Sequence, residues 1–222
     1  MRVDIKSQLI YYSKKLQQKN FVIGPGGNTS CKIEDRIAIK PSGLEFEELK
    51  ISDLVEIDLS SENPSLLPHK FRPSSEYLMH VKIYQMRPEI SCIIHAHPPY
   101  VIGLTACDIE IKHLFPDGVV YLGEKIPLID YCTPCTTKLA ELVQTNIKHH
   151  HVLILKNHGA ITIGENVKSA YLRMELLENL AYIQWIALNL KGNLNQINFL
   201  SKENIEEILN LESEKYRQDI LK

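Results

Sequence analysis

No apolar run in this sequence approaches the roughly 20 residues that a membrane-spanning helix needs, so no membrane partner is expected. Charge of one sign is equally scarce. Lys+Arg number 25 against 27 Asp+Glu, a formal net charge of -2. Without a global basic field nucleic acid is not expected as a partner, and any anionic substrate has to be met by local donors. Cysteine is sparse and odd in number. The five, Cys31, Cys92, Cys107, Cys132 and Cys135, are scattered through 222 residues. That usage reads as reduced thiols in a cytoplasmic protein rather than a disulfide framework. Met1 to Lys19 is charged throughout and lacks the apolar core of a signal peptide. Repeats, low-complexity tracts and Pro/Gly/Ser-rich linkers are also missing, so residues 1–222 are expected to form one domain.

What is present is helix and strand signal, interspersed. Asp4 to Lys19 carries apolar residues at helical spacing, and Gly24-Pro25-Gly26-Gly27 stops regular structure. Thr29 to Lys32 and Arg36 to Lys40 read as strands around a turn at Glu34-Asp35, and Leu54 to Leu59 as another. Pro64 to Pro73 reads as a loop, after which Pro73-Ser74-Ser75-Glu76 opens a helix to about Arg87. Cys92 to Ile94 is a buried-type strand, followed by a helix start over Pro99 to Thr105. Val119 to Leu122 and Ile126 to Tyr131 are strand candidates, Thr136 to Lys148 a helix, and Val152 to Leu155 a strand with Ala160 to Ile163 as hairpin partner. Val167 to Leu190 is a long helix, and a final one begins at Lys202. The mixture predicts an α/β or α+β domain, and its hairpins argue against a purely parallel sheet.

The chemistry-bearing residues gather at strand ends. His95 and His97, two apart, present their imidazoles to one face, as two ligands of one metal require. Zinc takes three or four N, O or S ligands, and His158 follows an apolar strand in the same manner. A single histidine is more often a hydrogen-bonded structural residue; the triplet shifts the balance toward a metal site. His149-His150-His151, His69 and His113 have no evident partners, and His80, four residues after Glu76, reads as structural.

Three segments offer what a phosphate needs. Gly26-Gly27-Asn28-Thr29 supplies backbone N–H groups, an amide and a hydroxyl, and Lys40-Pro41-Ser42-Gly43 a tight turn with a hydroxyl. Ser74-Ser75 lies at a helix start, where free N–H groups attract anions. Each has an ordinary structural explanation alone. Glu76, next to the serines, is a candidate general base or fourth metal ligand. Cys132-Thr133-Pro134-Cys135 has the spacing of a redox pair or half a metal site, but has neither a second such pair nor a redox-domain context.

In this order, from the Gly-Gly-Asn-Thr-Ser loop at Gly26 to Lys156-Asn157-His158-Gly159, these motifs resemble the class II aldolase/adducin-head superfamily. The likeness is greatest to its L-fuculose-1-phosphate aldolase branch and the archaeal members of that branch. The resemblance implies one three-layer α/β domain with a largely antiparallel central sheet flanked by helices, and a homotetramer with active sites between subunits. It implies Zn2+ on His95, His97 and His158, with Glu76 both near the metal and the catalytic acid/base. Gly27, Asn28, Ser42, Gly43, Ser74 and Ser75 would bind the phosphate of a small sugar phosphate. The implied reaction is reversible cleavage of a ketose 1-phosphate to dihydroxyacetone phosphate and an aldehyde.

Two departures stand out. The aldolases place a tyrosine before the segment matching Ile126-Pro127; here His113, Leu114 and Phe115 stand nearby, leaving Tyr121, Tyr131 or Tyr216 as substitutes. Lys40-Pro41-Ser42-Gly43 is more similar to the L-ribulose-5-phosphate 4-epimerase branch, although that branch usually carries Asp where Glu76 stands. An epimerase, a methylthioribulose-1-phosphate dehydratase and a non-catalytic adducin-head-like module are the alternatives.

Overall fold

Alternation of apolar side chains along the strands gives both faces of the sheet something to bury, and helices cover each. The computed structural model describes residues 4–61 and 63–221; the ends of the amino-terminal and whole-chain readings, Met1–Val3 and Lys222, lie outside them. In chain order the elements are α1 (Ile5–Gln18), β1 (Asn28–Ile33), β2 (Arg36–Ile39), β3 (Val55–Asp58), β4 (Ser65–Leu66), α2 (Tyr77–Met86), β5 (Cys92–Ala96) and α3 (Pro99–Ala106). They continue with α4 (Pro116–Leu122), β6 (Leu128–Ile129), α5 (Thr137–Ile147), β7 (Val152–Leu155), β8 (Gly159–Gly164), α6 (Val167–Lys191), α7 (Lys202–Asn210) and α8 (Glu212–Leu221). The sheet runs β4-β3-β2-β1-β5-β8-β7-β6. Every pairing is antiparallel except β6 with β7.

The period of two sorts the core into layers. Cys92, Ile94 and Ala96 of β5 join a cluster with Leu9 and Leu16 of α1 and Met174 and Leu177 of α6. Ile93 of β5, with Ile161 and Ile163 of β8, packs on the opposite face against Ile83 of α2 and Val143 of α5. This is the expected three-layer arrangement. His95 shares the α2 face with Ile93, and that places it near the start of α2.

Four sequence expectations fail. Val119 to Leu122 is the second half of α4, not a strand. Its β-branched valines suggested extended structure, but Pro116 and Asp117 form a helix start, Gly123 ends it, and Val119, Val120 and Leu122 are buried against α6. Of Ile126 to Tyr131 only Leu128 and Ile129 pair. Within the supposed loop 64–73, Ser65 and Leu66 add an edge strand to β3. The final helix also breaks in two at Leu211, whose backbone is extended.

Helix α3, which begins just past His97 and Pro98, has no side-chain cap of its own. Its Tyr100 and Val101 N–H groups donate to the Glu178 carboxylate of α6, at 2.9 and 3.1 Å. Burial pushes the Glu178 carboxyl up to about 7, against the opposing pull of those two N–H groups. Its ordinary value is 4.5, so between 4.5 and about 7 the folded chain binds more protons than the unfolded one. The carboxyl's contribution to stability is therefore complete below 4.5 and declines as pH rises through about 7. Glu178→Gln removes the titration. In urea unfolding, the difference between variant and wild type is expected to move in the variant's favour across that window and level off above it. A constant difference would exclude Glu178 as the source.

Candidate active site

The hairpin of β7 and β8 sets one candidate ligand and orients another. Leu155 pairs with Gly159, leaving Lys156-Asn157-His158 as the loop, with Asn157 in the left-handed region at φ 56. Gly159 admits no side chain, because a Cβ there would stand 2.3 Å from Ala96 O. On the neighbouring strand, fully buried His95 places Nδ1 3.0 Å from Ala160 O. A carbonyl only accepts, so the proton sits on Nδ1 and the Nε2 lone pair faces outward.

That nitrogen faces two further members of the cluster. His97 Nε2 lies 3.2 Å from His95 Nε2, and Glu76 Oε2 is 3.2 Å from the same nitrogen. Glu76 Oε1 accepts no hydrogen bond and stands 3.4 Å from His158 Nε2. The ligand nitrogens of His95, His97 and His158 all fall within 4.8 Å of one another. Three imidazole nitrogens converging beside a carboxylate suit a cation, and the set fits a metal ion with nitrogen preference. Burial, with the neighbouring His95, lowers His97 to about 3; burial likewise lowers His158 to about 4. Both therefore stay neutral and ligand-competent at neutral pH.

Glu76 is the N-cap of α2, one position before the expected first turn, and its side chain makes no cap bond. It is 8% exposed. Burial raises its carboxyl, but positive charge at the His95 and His158 side of the cluster, with the Asn28 amide, brings it well below the usual carboxylate range. Asn28 Nδ2 donates to Glu76 Oε2 at 2.9 Å. Behind it runs a buried polar chain that the sequence did not reveal. His80 Nε2 hydrogen-bonds Asn28 Oδ1, its Nδ1 meets Ser30 Oγ at 2.7 Å, and Tyr84 donates to Ser30 O. His80 is lowered to about 3, chiefly by burial, so it is a neutral strut.

The three phosphate-type segments are sewn together through their backbones. Lys40 N donates to Thr29 O, Ser74 N to Lys40 O, and Ser42 N to Arg72 O, each at 3.0 Å. Gly27 closes the arrangement; its φ of 60 and the 2.9 Å from a notional Cβ to His95 O both demand glycine. A cavity of about 200 Å³ results, lined by Gly27, Asn28, Ser42, Gly43, Ser74 and Ser75 together with Glu76, His97 and His158. Lys40, Pro134 and Cys135 also line it. Lys40 is 1% exposed, its Nζ donates to Pro25 O at 2.8 Å, and burial lowers it to about 8. Its place in an anion-binding motif was the one signal the sequence offered.

Other candidates fall elsewhere. Tyr121, Tyr131 and Tyr216 do not line this cavity, and Tyr121 instead faces a larger one of about 780 Å³ with Arg217. His69 and His113 each hydrogen-bond a backbone carbonyl. Neither Cys132 nor Cys135 belongs to the ligand cluster. No helix among the described residues is long and apolar enough to cross a membrane.

Comparison with known proteins accords with this geometry. Residues 7–185 match the family described as Class II Aldolase and Adducin N-terminal domain. The chain is 36% identical over 186 residues to an L-fuculose phosphate aldolase of Methanocaldococcus jannaschii, covering 84% of this chain and 98% of that one. It is 27% identical to a 3-oxo-tetronate 4-phosphate decarboxylase of Pectobacterium atrosepticum over 91% of both. A solved L-fuculose 1-phosphate aldolase superposes with a TM-score of 0.83 at 30% identity, covering 98% of each chain.

Two outcomes test the arrangement. The wild type is expected to bind about one divalent ion per chain, and His95→Ala or His158→Ala to lose it, by metal analysis after dialysis. Full occupancy in either variant would remove that ligand. His80→Phe removes the donor to Asn28 Oδ1 and the acceptor of the Ser30 hydroxyl, and is expected to cost about 1–3 kcal/mol in urea unfolding. An unchanged midpoint would show that the buried chain is not a strut.

Proposed function

Since the chain belongs to the class II aldolase and adducin N-terminal domain family, we propose that it cleaves a ketose 1-phosphate, L-fuculose 1-phosphate or a close analogue, reversibly to dihydroxyacetone phosphate and an aldehyde. It is a carbon–carbon lyase of the class II aldolase type, and 1–222 is read as one such domain. The observation that carries the reading is Glu76, wedged between the histidine cluster and the anion-binding segments in one cavity.

His95, His97 and His158 would hold Zn2+, with Glu76 as a fourth, displaceable ligand. The ion when bound supplies a Lewis acid that polarises the substrate carbonyl. Gly27, Asn28, Ser42, Gly43, Ser74 and Ser75, with Lys40, hold the phosphate and so fix the distance from it to the reacting carbons. Glu76 moves a proton to and from the dihydroxyacetone-phosphate carbon. Asn28 and His80 keep the carboxylate aimed. Among the described residues no tyrosine lines the cavity, so a tyrosine acid for the aldehyde oxygen would have to come from outside it. A homotetramer with active sites between subunits would supply it. Free cysteines support a cytoplasmic location.

A second reading, the 4-epimerase, is favoured by the likeness of Lys40-Pro41-Ser42-Gly43 to that branch. A panel of ketose phosphates coupled to detection of dihydroxyacetone phosphate separates the two. Release of that triose is expected, while conversion without cleavage would replace the aldolase by the epimerase or dehydratase. Glu76→Gln is expected to retain metal yet lower solvent-proton exchange into dihydroxyacetone phosphate by at least about 100-fold, followed by NMR. Undiminished exchange would take the proton-transfer role from Glu76.

A further inference from the structure

Support for the three candidate ligands is uneven. His95 is fixed through Nδ1 by Ala160 O, whereas the His97 ring, among the described residues, has a hydrogen-bond contact only with His95 Nε2. A ligand ring is ordinarily aimed by a bond to its second nitrogen. His97 has to be aimed through its backbone instead, between two close walls. A Cβ on Gly26 would stand 3.2 Å from its Nδ1, and one on Gly159 2.9 Å from its Cδ2.

That backbone is held on both sides. His97 N donates to Phe21 O at 2.8 Å. Pro98 and Pro99 follow and carry no N–H, so Tyr100 has the first backbone donor beyond His97. Tyr100 N donates to Glu178 Oε1 at 2.9 Å, and Val101 N to Glu178 Oε2 at 3.1 Å. Proline locks φ, and Ile102 N returns to Pro98 O at 3.1 Å, so the stretch from Pro98 to Ile102 is stiff. The Tyr100 ring is seated on α6 as well, with centroids 4.8 Å from Tyr182 and 5.3 Å from Trp185.

Glu178 is 5% exposed and takes no part in the proposed chemistry. Its form suits a clamp. Each oxygen serves one N–H, a division that glutamine, with a donor in place of one oxygen, does not offer. Burying a charge is costly. A serine or aspartate in the N-cap position, where Pro98 stands, would cap α3 without that cost. Capping alone therefore does not account for a carboxylate reaching across from α6.

We propose that Glu178 is a positioning residue for His97. By clamping Tyr100 and Val101 it fixes the first turn of α3, and through Pro98 and Pro99 it sets the direction in which His97 presents Nε2 to an ion. The consequence for an ion rests on the metal reading of the histidine cluster; the hold on the His97 backbone does not.

The test compares the full chain with Glu178→Gln and Glu178→Asp at a pH above about 7, where the carboxylate is ionised. Glutamine is isosteric and removes a buried charge, so that variant is expected to fold. Aspartate keeps the charge on an arm one methylene shorter, which does not span both N–H groups. Both variants are expected to bind Zn2+ about tenfold more weakly in competition with a chelator, and to change the ligand-field absorption of bound Co2+. In the metal-free chain, amide exchange at His97 is expected to speed up at least about tenfold, in step with Tyr100 and Val101. A merely structural role would shift the urea midpoint but leave the Co2+ spectrum and the Zn2+ affinity of the folded chain unchanged, and that result would overturn the proposal. Zn2+ affinity undiminished in Glu178→Asp would assign the effect to charge and overturn the clamp. Faster exchange at Tyr100 and Val101 with none at His97 would overturn the link across the prolines. If the wild type itself binds no Zn2+, the metal reading falls, and exchange at His97 still decides whether Glu178 holds its backbone.

Discussion

The hydrogen bond from His95 Nδ1 to Ala160 O is the constraint from which the centre is built. It exists because β5 and β8 pair with Ala96 opposite Ala160 and His95 opposite Ile161. A shift of one residue would move His95 to the α1/α6 face and bury its ring among aliphatic side chains. In the observed register the ring is locked as one tautomer, and its free nitrogen is directed at His97 and Glu76. A backbone pairing thereby sets the protonation pattern of a ligand, and the sheet acts as its second layer of support.

The structure gives up local stability to bring Glu76 into this group. An N-cap side chain normally satisfies one of the free N–H groups of its helix. Glu76 leaves that task undone and turns to the histidines, while Ser74 Oγ accepts its backbone N–H at 3.3 Å. Its geometry is then maintained from behind by Asn28, His80, Ser30 and Tyr84, a chain that crosses from β1 to α2. All four are buried, so each partner lost leaves a polar group without water. The cost of that desolvation keeps the carboxylate rigid.

Legibility in the sequence followed the range of each signal. The histidines were readable because spacing along a strand dictates facing, a rule that depends only on the chain's own period. The phosphate segments were readable as types, yet what joins them is backbone bonding between residues far apart, from Thr29 to Lys40 to Ser74. No local pattern encodes it. The same limit hid the role of His80, whose partner Asn28 is 52 residues away. Helix α4 was misread for a related reason: Val119 and Val120 favour strands in isolation, and packing against α6 overrode them. Lys40 was visible within its motif, but its burial was not, since charged residues are rarely placed inside.

That buried lysine explains how one cavity serves groups of opposite charge. Lys40 lies at the end of β2 and Glu76 at the start of α2, and the Ser74-to-Lys40 backbone bond holds their segments side by side. A phosphate between the serines, as proposed, would gain from the cation and the serine hydroxyls, while the histidine cluster would draw the carboxylate the other way. The two ends of the cavity are therefore electrostatically distinct despite a near-neutral chain, with a net charge of only -2. The proposed substrate, with phosphate at one end and a carbonyl further along, would meet each group where it is complementary, and the reverse orientation would set phosphate against Glu76. Charge would thus fix orientation before any contact with the rest of the substrate is made, leaving the remote end of the molecule free to vary.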